Sequence, residues 1–535
     1  MRLKRLGLCG GALVLGLLAG CPDDSKDTPA AAGSGSHGNA AGRGGRDMDA
    51  DAGPADEPSK GPSKPSAGSG GNAGQAGKAG QNAGGSAAKP SAGAGAGGTG
   101  GSPATDKPGM IESAGGPRFF LPTDEPTNTT APVVRSDRTG ATHVLYPKYV
   151  VGGAYYAYCP KGCSGDKDVK PVLLQTEGTV GNAALALSAD GKPRVLLSTL
   201  LHVYYGQCDK DCTDKNNWTL TVIDDHKGDR DVTGQALALD SQGRPRFIEH
   251  TYLAFLGVGQ LAPKTWYVKC DADCNTAGNW QRSEIMEDKI WFKSQLLFDA
   301  SDRAHVITGV ENVDGNSAGV KRAAYLECDG ACTTADAWIG TGLVPLYESH
   351  VEEFKPSLAL ALSKQGKPRV LLVAPGDASE SKRLIYFECN DNCTEDNWTG
   401  SVLSDRKELD SGLDLALDAN DHPRFVFTLA SNIGLYRCDS TNCAADDADW
   451  QLTKVEFAGD LPKDSIILWP NCTVDAWILH DPSLAVLGDG SVRVGYQATD
   501  LSGGVRTIDP SMPACVAGKD MTMSRMALVP VGSIQ

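Results

Sequence analysis

The chain has 535 residues and a formal net charge of −16. This acidic balance excludes nucleic acid as an expected partner, because binding to phosphates requires a basic surface. The composition is uneven: about the first 115 residues are rich in Gly, Ala, Ser and Pro, and all nine Trp follow them.

The N-terminus has the pattern of an export signal. Arg2, Lys4 and Arg5 precede an apolar run, residues 6–18, that is too short for an ordinary membrane span and is typical of a signal peptide. The sequence Leu-Ala-Gly-Cys at residues 18–21 resembles the bacterial lipobox. The resemblance implies removal of residues 1–20 and acylation of Cys21, for example by palmitate. The alternative is an ordinary signal peptide that has a Cys near its end.

The resemblance to the lipobox also implies a cellular location. A chain acylated at Cys21 is anchored in a lipid membrane of the cell envelope, with the outer membrane favoured on either its periplasmic face or the cell surface. Residues 21–115 are predicted to be a lipid-anchored, disordered, low-complexity linker, because they lack the apolar side chains that would offset ordering entropy. A glycine-rich recognition segment is the alternative for this stretch.

The remaining chain repeats itself. Five clear copies pair a segment such as ALALSADGKPRVLL with a later pair of Cys, with three or four residues between them, and a Trp. They cover residues 184–218, 236–280, 296–338, 358–398 and 413–450. Two weaker copies begin at residues 133 and 483, which makes seven units.

Each unit has the pattern of four β-strands. In residues 358–362 Leu alternates with Ala, so both faces of this first strand are apolar and both must be covered, as in sheets stacked against each other. Strands at this spacing indicate radial repetition. The pattern resembles bacterial β-propeller repeats with an LALDxxGxP first hairpin. The predicted fold is therefore all-β: residues 116–535 form a disulfide-stapled seven-bladed β-propeller of four-stranded antiparallel blades. A pair of β-sandwiches is the alternative.

The cysteines indicate an oxidising compartment. Twelve of them form closely spaced pairs, and Cys472 with Cys515 completes the set, so that every Cys after Cys21 has a partner. The close pairs are Cys159/Cys163, Cys208/Cys212, Cys270/Cys274, Cys328/Cys332, Cys389/Cys393 and Cys438/Cys443. Zinc is the rival interpretation, but each pair stands alone in its unit and no His recurs beside it. No metal or other cofactor is predicted, although acidic loops such as Asp209–Asp214 leave calcium open.

One basic residue recurs at an equivalent position in every unit: His143, Arg194, Arg246, His305, Arg369, Arg424 and Arg493. These residues could form a cationic ring that binds carboxylates or phosphates. They could also pair with the Asp residues of the cysteine loops, because both emerge on the same propeller face. We favour the second interpretation.

The connections between units break the repeat. We interpret residues 224–232, 287–294, 345–355, 404–411 and 463–480 as variable loops on the opposite propeller face. Aromatic side chains beside carboxylates suit sugar rings or peptides. The candidate ligand-binding residues are Trp291, Phe292, Tyr347, His350, Glu352, Asp410 and Trp469. The alternative is that these aromatics fill gaps between blades.

The sequence therefore predicts a monomeric, membrane-anchored binding module for carbohydrate, peptide or protein partners. No catalytic residue is assigned, because the folded region has no HExxH pair. Two other functions stay open. One is an extracellular glycan-acting hydrolase with carboxylates in the irregular loops. The other is a non-catalytic scaffold of the cell envelope.

Overall fold

A computed structural model describes the folded region with several gaps. The described residues are 113–125, 127–148, 152–199, 201–225, 232–251, 264–287, 289–312, 322–345, 357–376, 381–462, 464–466, 469–473, 476–500, 506–507 and 521–531. All of them belong to one structural unit, Gly97–Gln535. Cys21, the signal peptide and nearly all of the linker lie outside the described residues. No described helix is long and apolar enough to span a membrane.

The first six blades each take four consecutive strands, numbered outward from the propeller axis. Blade 1 is β2 Val133–Ser136, β3 Thr142–Pro147, β4 Ala154–Cys159 and β5 Lys170–Leu174. Blade 2 is β6 Asn182–Leu187, β7 Pro193–Ser198, β8 His202–Cys208 and β9 Trp218–Asp225. Blade 3 is β10 Val232–Leu239, β11 Pro245–Thr251, β12 Lys264–Cys270 and β13 Trp280–Glu287.

Blades 4 to 6 follow the same plan. Blade 4 is β14 Lys289–Phe298, β15 Ala304–Asn312, β16 Arg322–Cys328 and β17 Trp338–Pro345. Blade 5 is β18 Leu358–Leu362, β19 Pro368–Pro375, β20 Lys382–Glu388 and β21 Thr399–Arg406. Blade 6 is β22 Leu409–Leu417, β23 Pro423–Leu429, β24 Asn432–Cys438 and β25 Trp450–Glu456. Every neighbouring pair within a blade is antiparallel.

Blade 7 closes the ring with strands from both ends of the domain. Its inner strands are β28 Ile478–Val486, β29 Val492–Asp500 and β31 Met521–Val529, and its outer strand is β1 Arg118–Phe120. Phe119 lies opposite Met526 in this pairing. The described residues therefore form seven four-stranded antiparallel sheets, which confirms the predicted seven-bladed propeller. The N-terminal strand, whose role the repeat pattern leaves open, completes the last blade.

Smaller elements complete the described chain. A three-stranded sheet is built from β26 Asp464–Ile466, β27 Trp469–Thr473 and β30 Arg506–Thr507. The described 3-10 helices are Asp166–Asp168, Lys215–Asn217, Ala277–Asn279, Ala335–Ala337 and Ala458–Asp460. Four of the five lie just before the outer strand of a blade, in the loops that carry the second cysteine.

The core lies between blades. Leu358 and Leu360 of β18 pack towards blade 4, against Ile307 among others. Ala359 and Ala361 face the other way and pack with blade 6. All four residues of this ribbon are buried, as the Leu/Ala alternation predicts. Each fully buried Leu contributes about 1.5–3 kcal/mol relative to an exposed one, so stacked blades stabilise one another strongly.

A tyrosine and a tryptophan join neighbouring blades at five junctions. The Trp at or just before the start of one blade's outer strand packs on a Tyr of the preceding blade, and its indole N–H donates to the carbonyl oxygen of the second Cys of its own blade. The pairs are Tyr156–Trp218, Tyr205–Trp280, Tyr267–Trp338, Tyr325–Trp398 and Tyr386–Trp450, with ring centroids 4.8–5.7 Å apart. The repeated Trp is therefore an inter-blade contact.

Six disulfides staple the loops between third and fourth strands. The bonded pairs are Cys159–Cys163, Cys208–Cys212, Cys270–Cys274, Cys328–Cys332, Cys389–Cys393 and Cys438–Cys443. These bonds confirm the predicted pairs and exclude zinc at those sulfurs, because a disulfide sulfur is not a thiolate ligand. The predicted Cys472–Cys515 pair lies outside the description, since Cys515 is not described and only the backbone of Cys472 is.

Candidate functional site

The first hairpin turns and the cysteine loops emerge on one side of the propeller, which we call the turn face. There Arg246 is buried, and its Nη2 lies 2.6 Å from Asp271 and 3.0 Å from Asp240. Arg424 makes the same two contacts, with Asp439 at 2.5 Å and Asp418 at 2.8 Å. Arg194 pairs with Asp209 at 2.7 Å. The recurring arginines thus pair within the repeat, as we favoured.

The other recurring basic residues also contact groups of their own blade, but the contacts differ. Arg369 donates to Asn390 at 3.0 Å. His143 and His305 are buried, and each hydrogen bonds a Tyr of its own blade through Nδ1. Burial lowers the pKa of both imidazoles, against the opposing effect of nearby carboxylates. Arg493 donates to the backbone carbonyl oxygen of Val492 at 3.2 Å, and burial lowers the pKa of its guanidinium. A ring of six or seven free cations is therefore absent from the described turn face.

A possible cation site lies within this ion-pair system. Asp418, His422 and Asp439 offer ligand atoms within 4.8 Å of one another. The Arg424 guanidinium contacts both of those carboxylates. It already neutralises the oxygens that calcium would need, so this cluster fits a cation poorly.

The opposite side of the propeller, which we call the long-loop face, has irregular inner strands. β-Bulges interrupt four of the seven innermost strands, β10, β14, β22 and β28, in the half nearest this face. The backbone has positive φ at Ala236 and Asp481, at 59° and 52°. Bulges bend a strand and re-aim its side chains, and they occur often beside binding sites. The long-loop end of the propeller axis is therefore where the repeat departs most from regularity.

Two segments that the sequence suggested as loops are strands. Residues 289–294 belong to β14 and residues 409–411 to β22, so each connection between blades is only one or two residues long at these points. The prediction of loops at 287–294 and 404–411 was wrong. The physical reason is the bulge: it breaks the two-residue alternation, and the upper part of the inner strand then lacks the repeat pattern.

Three of the seven candidate ligand-binding residues lie beside the bulges of β14 and β22. Trp291 and Phe292 lie in β14 before its bulge, Asp410 lies within the bulge of β22, and Trp469 lies in β27 of the small sheet. Only the backbone of these four residues is described. Tyr347, His350 and Glu352 lie outside the described residues. Their assignment as ligand-binding residues stays a prediction.

Polar residues that the sequence analysis missed line the innermost strands. Asp414 Oδ2 accepts a hydrogen bond from the backbone N–H of Leu484 on the next blade at 2.9 Å, and it lies 3.6 Å from Arg135 Nη1. Ser483 accepts from the N–H of Val134 at 3.0 Å. Asp414 and Ser483 take the place of Ala in the Leu/Ala pattern of the innermost strand. A polar residue at such a position is the sequence feature by which they could have been found. These residues join blades 6, 7 and 1 near the axis.

A second missed group is an acidic pair between blades 2 and 3. Glu249 of β11 is 1% exposed, and its Oε2 lies 2.8 Å from Arg282 Nε of β13. Arg282 Nη1 lies 3.3 Å from Asp224 of β9, and its guanidinium carbon lies 3.9 Å from the centre of the Trp266 ring. Burial raises the pKa of Glu249 to about 8, Arg282 opposes this effect, and Asp224 adds to it. No short-range sequence pattern brings these four residues together.

Comparisons with known proteins identify no family for this chain. No family model matches the chain, and no curated protein matches it. Polysaccharide lyase Uly1 is 8% identical over 75% of this chain and 90% of its own, with a TM-score of 0.42. An ulvan lyase is 11% identical over 61% of this chain and 78% of its own, with a TM-score of 0.39. The α-L-arabinanase of Penicillium chrysogenum, solved with arabinobiose, is 11% identical over 64% of this chain and 98% of its own, with a TM-score of 0.35. At these identities and scores the activities of those proteins do not transfer to this chain.

Proposed function

We propose that this protein is an exported, membrane-anchored binding module that recognises a carbohydrate or peptide ligand at the long-loop end of its innermost strands. The observation that carries the proposal is the contrast between the two faces. On the turn face the recurring arginines are engaged by partners of their own blade. On the other face four innermost strands are bulged, and Trp291, Phe292 and Asp410 lie beside two of those bulges.

Export is supported by the disulfides. Six bonded pairs in one domain require an oxidising environment, such as the periplasm or cell surface, because cytosolic thiols are kept reduced. The lipobox pattern at residues 18–21 adds a membrane anchor at Cys21 to this proposal. Cys21→Ser is expected to move the protein from the membrane fraction to the soluble fraction after cell lysis. Retention of the variant in membranes would contradict the anchor.

The binding function is tested by presenting full-length protein to a glycan array and a peptide library. Trp291→Ala and Phe292→Ala are expected to reduce binding at least tenfold, because each stacked aromatic ring contributes about 1 kcal/mol or more beyond its buried area. Phe457→Ala is the matched control, since Phe457 is an exposed aromatic that follows the outer strand β25. Equal losses in all three variants would show that the bulged strands do not form the site.

The hydrolase alternative is separated by the same experiment. Two carboxyl groups that cleave a glycoside flank the substrate about 5–10 Å apart. Glu249 and Asp224 contact one guanidinium, and Glu249 is almost fully buried, so this pair does not match that arrangement. Release of shortened glycans during the array assay would favour the hydrolase. An envelope scaffold would bind neither library and would instead co-purify with envelope proteins.

A further inference from the structure

The junction of blades 2 and 3 contains two carboxyl groups that share one guanidinium. Asp224 lies one residue before the end of β9, on the outer strand of blade 2. Glu249 lies on β11 of blade 3, and Arg282 of β13 contacts both carboxylates, at 3.3 Å and 2.8 Å. The junction therefore joins two acidic groups from different blades through a single positive charge.

The pair sits where two negative charges are costly. Glu249 is 1% exposed, and its Oε1 is buried without a hydrogen-bond partner among the described residues. The negative charge of Asp224 disfavours ionisation of Glu249, and like charges repel more strongly in the protein interior than at its surface. The Arg282 guanidinium offsets only one of the two carboxylate charges, so the arrangement favours a proton on the Asp224–Glu249 pair.

The other titratable groups at this junction have neighbours of their own. Lys264 Nζ of β12 lies 2.7 Å from Glu284 of β13. On blade 2, His202 Nδ1 of β8 lies 3.6 Å from Asp225, the neighbour of Asp224 on the alternate face of β9. His250 follows Glu249 and points to the other face of β11. The described side chains of β10 are apolar where they meet this junction. Asp224, Glu249 and Arg282 thus form a group whose net charge changes with a single proton.

We propose that Asp224 and Glu249 form a proton-dependent latch, which holds blades 2 and 3 together at the long-loop face and loosens when the shared proton leaves. The protonated pair neutralises the junction together with Arg282. Loss of the proton leaves two carboxylates facing each other across two blades, and Arg282 can then compensate only one of them. The inference does not depend on the ligand of the proposed binding function.

The direction of the pH response follows from burial. Burial raises the pKa of Glu249 to about 8, so the latch is closed at neutral pH and opens in mildly alkaline solution. The guanidinium of Arg282 lies 3.9 Å from the Trp266 ring centre, so a change in its position alters the surroundings of that indole. Trp266 is therefore a built-in reporter of the latch.

The test is a fluorescence titration of the full chain from pH 6 to 9.5. The wild type is expected to show a transition near pH 8, which is absent in Trp266→Phe because the reporter is gone. Glu249→Gln should abolish the transition, since glutamine mimics the protonated acid. Asp224→Asn should move the midpoint down by at least one pH unit, because the like charge is removed. Glu284→Gln, which changes the paired carboxylate of the same junction, should leave the midpoint in place.

Backbone amide exchange then tests whether the junction loosens. At pH 9 the amides of β9 and β11 are expected to exchange at least tenfold faster in the wild type than in Glu249→Gln, whereas at pH 6.5 the two proteins should match. Comparison at one pH cancels the intrinsic pH dependence of exchange. A transition that persists in Glu249→Gln, an unmoved midpoint in Asp224→Asn, or equal exchange at pH 9 would each overturn the latch.

Discussion

Reduction of the six described disulfides tests how the propeller is stabilised. Each bond closes a loop of only about five or six residues, and the chain-entropy relation gives about 2 kcal/mol for a loop of that size. Six such loops sum to about 12 kcal/mol if they act independently. That sum is comparable with the whole free energy of unfolding of a typical domain, about 5–15 kcal/mol. Reduction is therefore expected to have a large effect on stability.

The expected shift in melting temperature follows from the size of the domain. Unfolding entropy of about 2.1 cal/mol/K per residue over about 420 residues gives about 0.9 kcal/mol/K. Loss of one bridge should then lower Tm by about 2–3 °C, and loss of all six by about 14 °C. Replacing Cys328 and Cys332 together by Ala measures a single bridge in the oxidised protein.

The assay is calorimetry of the full chain with and without a phosphine reductant, with free thiols counted in denaturant. A fully reduced protein that melts within 3 °C of the oxidised one would refute the reasoning. EDTA provides the control for the zinc interpretation: since the described pairs are disulfides, a chelator should leave Tm unchanged.

Three further predictions concern blade junctions, closure and pH. Trp280→Ala should destabilise the domain by about 3–5 kcal/mol in urea unfolding, because the indole packs on Tyr205 and Phe247; Trp280→Phe should cost less. Gly116→Ala should lower Tm by several degrees, because φ is +93° and a Cβ would lie 1.9 Å from the Leu528 carbonyl oxygen. Gly165→Ala is the control and should leave Tm unchanged, because the space around Gly165 is open. Burial lowers the pKa of His143 and His305, so the unfolded state binds more protons below about pH 6.5 and stability falls as pH drops. Replacing both by Gln should flatten urea midpoints between pH 7.5 and 5; a profile parallel to the wild type would contradict this assignment.

Most of the fold could be predicted from the sequence repeat. The Leu/Ala ribbon required cover on both faces, and the structure supplies it from the two neighbouring blades. The arginine position and the Asp of the cysteine loop recur together, and so their pairing was foreseeable. These predictions succeeded because each depends on residues within one unit or on the stacking of identical units.

The irregular end of the propeller was harder to predict. Bulges in β14 and β22 removed the alternation on which strand assignment depends, so these strands resembled loops. The Asp224–Arg282–Glu249 group joins three strands of two blades, and no spacing in the sequence indicates such a contact. The polar members of the inner ribbon, such as Asp414, were visible in the sequence, but their partners on the next blade were not.

Ring closure is specified by residues that depart from the repeat. Blade 7 takes its outer strand from the N-terminus, so it has no hairpin between third and fourth strands, and the Cys–Trp unit of blades 2 to 6 cannot form there. Instead, Arg525 of β31 makes a bidentate contact with Glu456 of blade 6, at 2.9 Å and 2.7 Å, and both side chains are buried. The same guanidinium lies 4.3 Å from the centre of the Phe120 ring on β1.

A buried ion pair of this kind contributes less to stability than to specificity, because desolvation offsets much of its Coulomb energy. Here the specificity concerns closure. One guanidinium contacts the outer strand of blade 6, and it also contacts the N-terminal strand that must dock beside β31. A β1 strand shifted by one residue would turn Phe120 to the opposite face and remove its contact with Arg525. We therefore expect the Arg525–Glu456 pair to select the register in which the two ends of the domain meet, a role that a repeated hydrophobic contact could not fill.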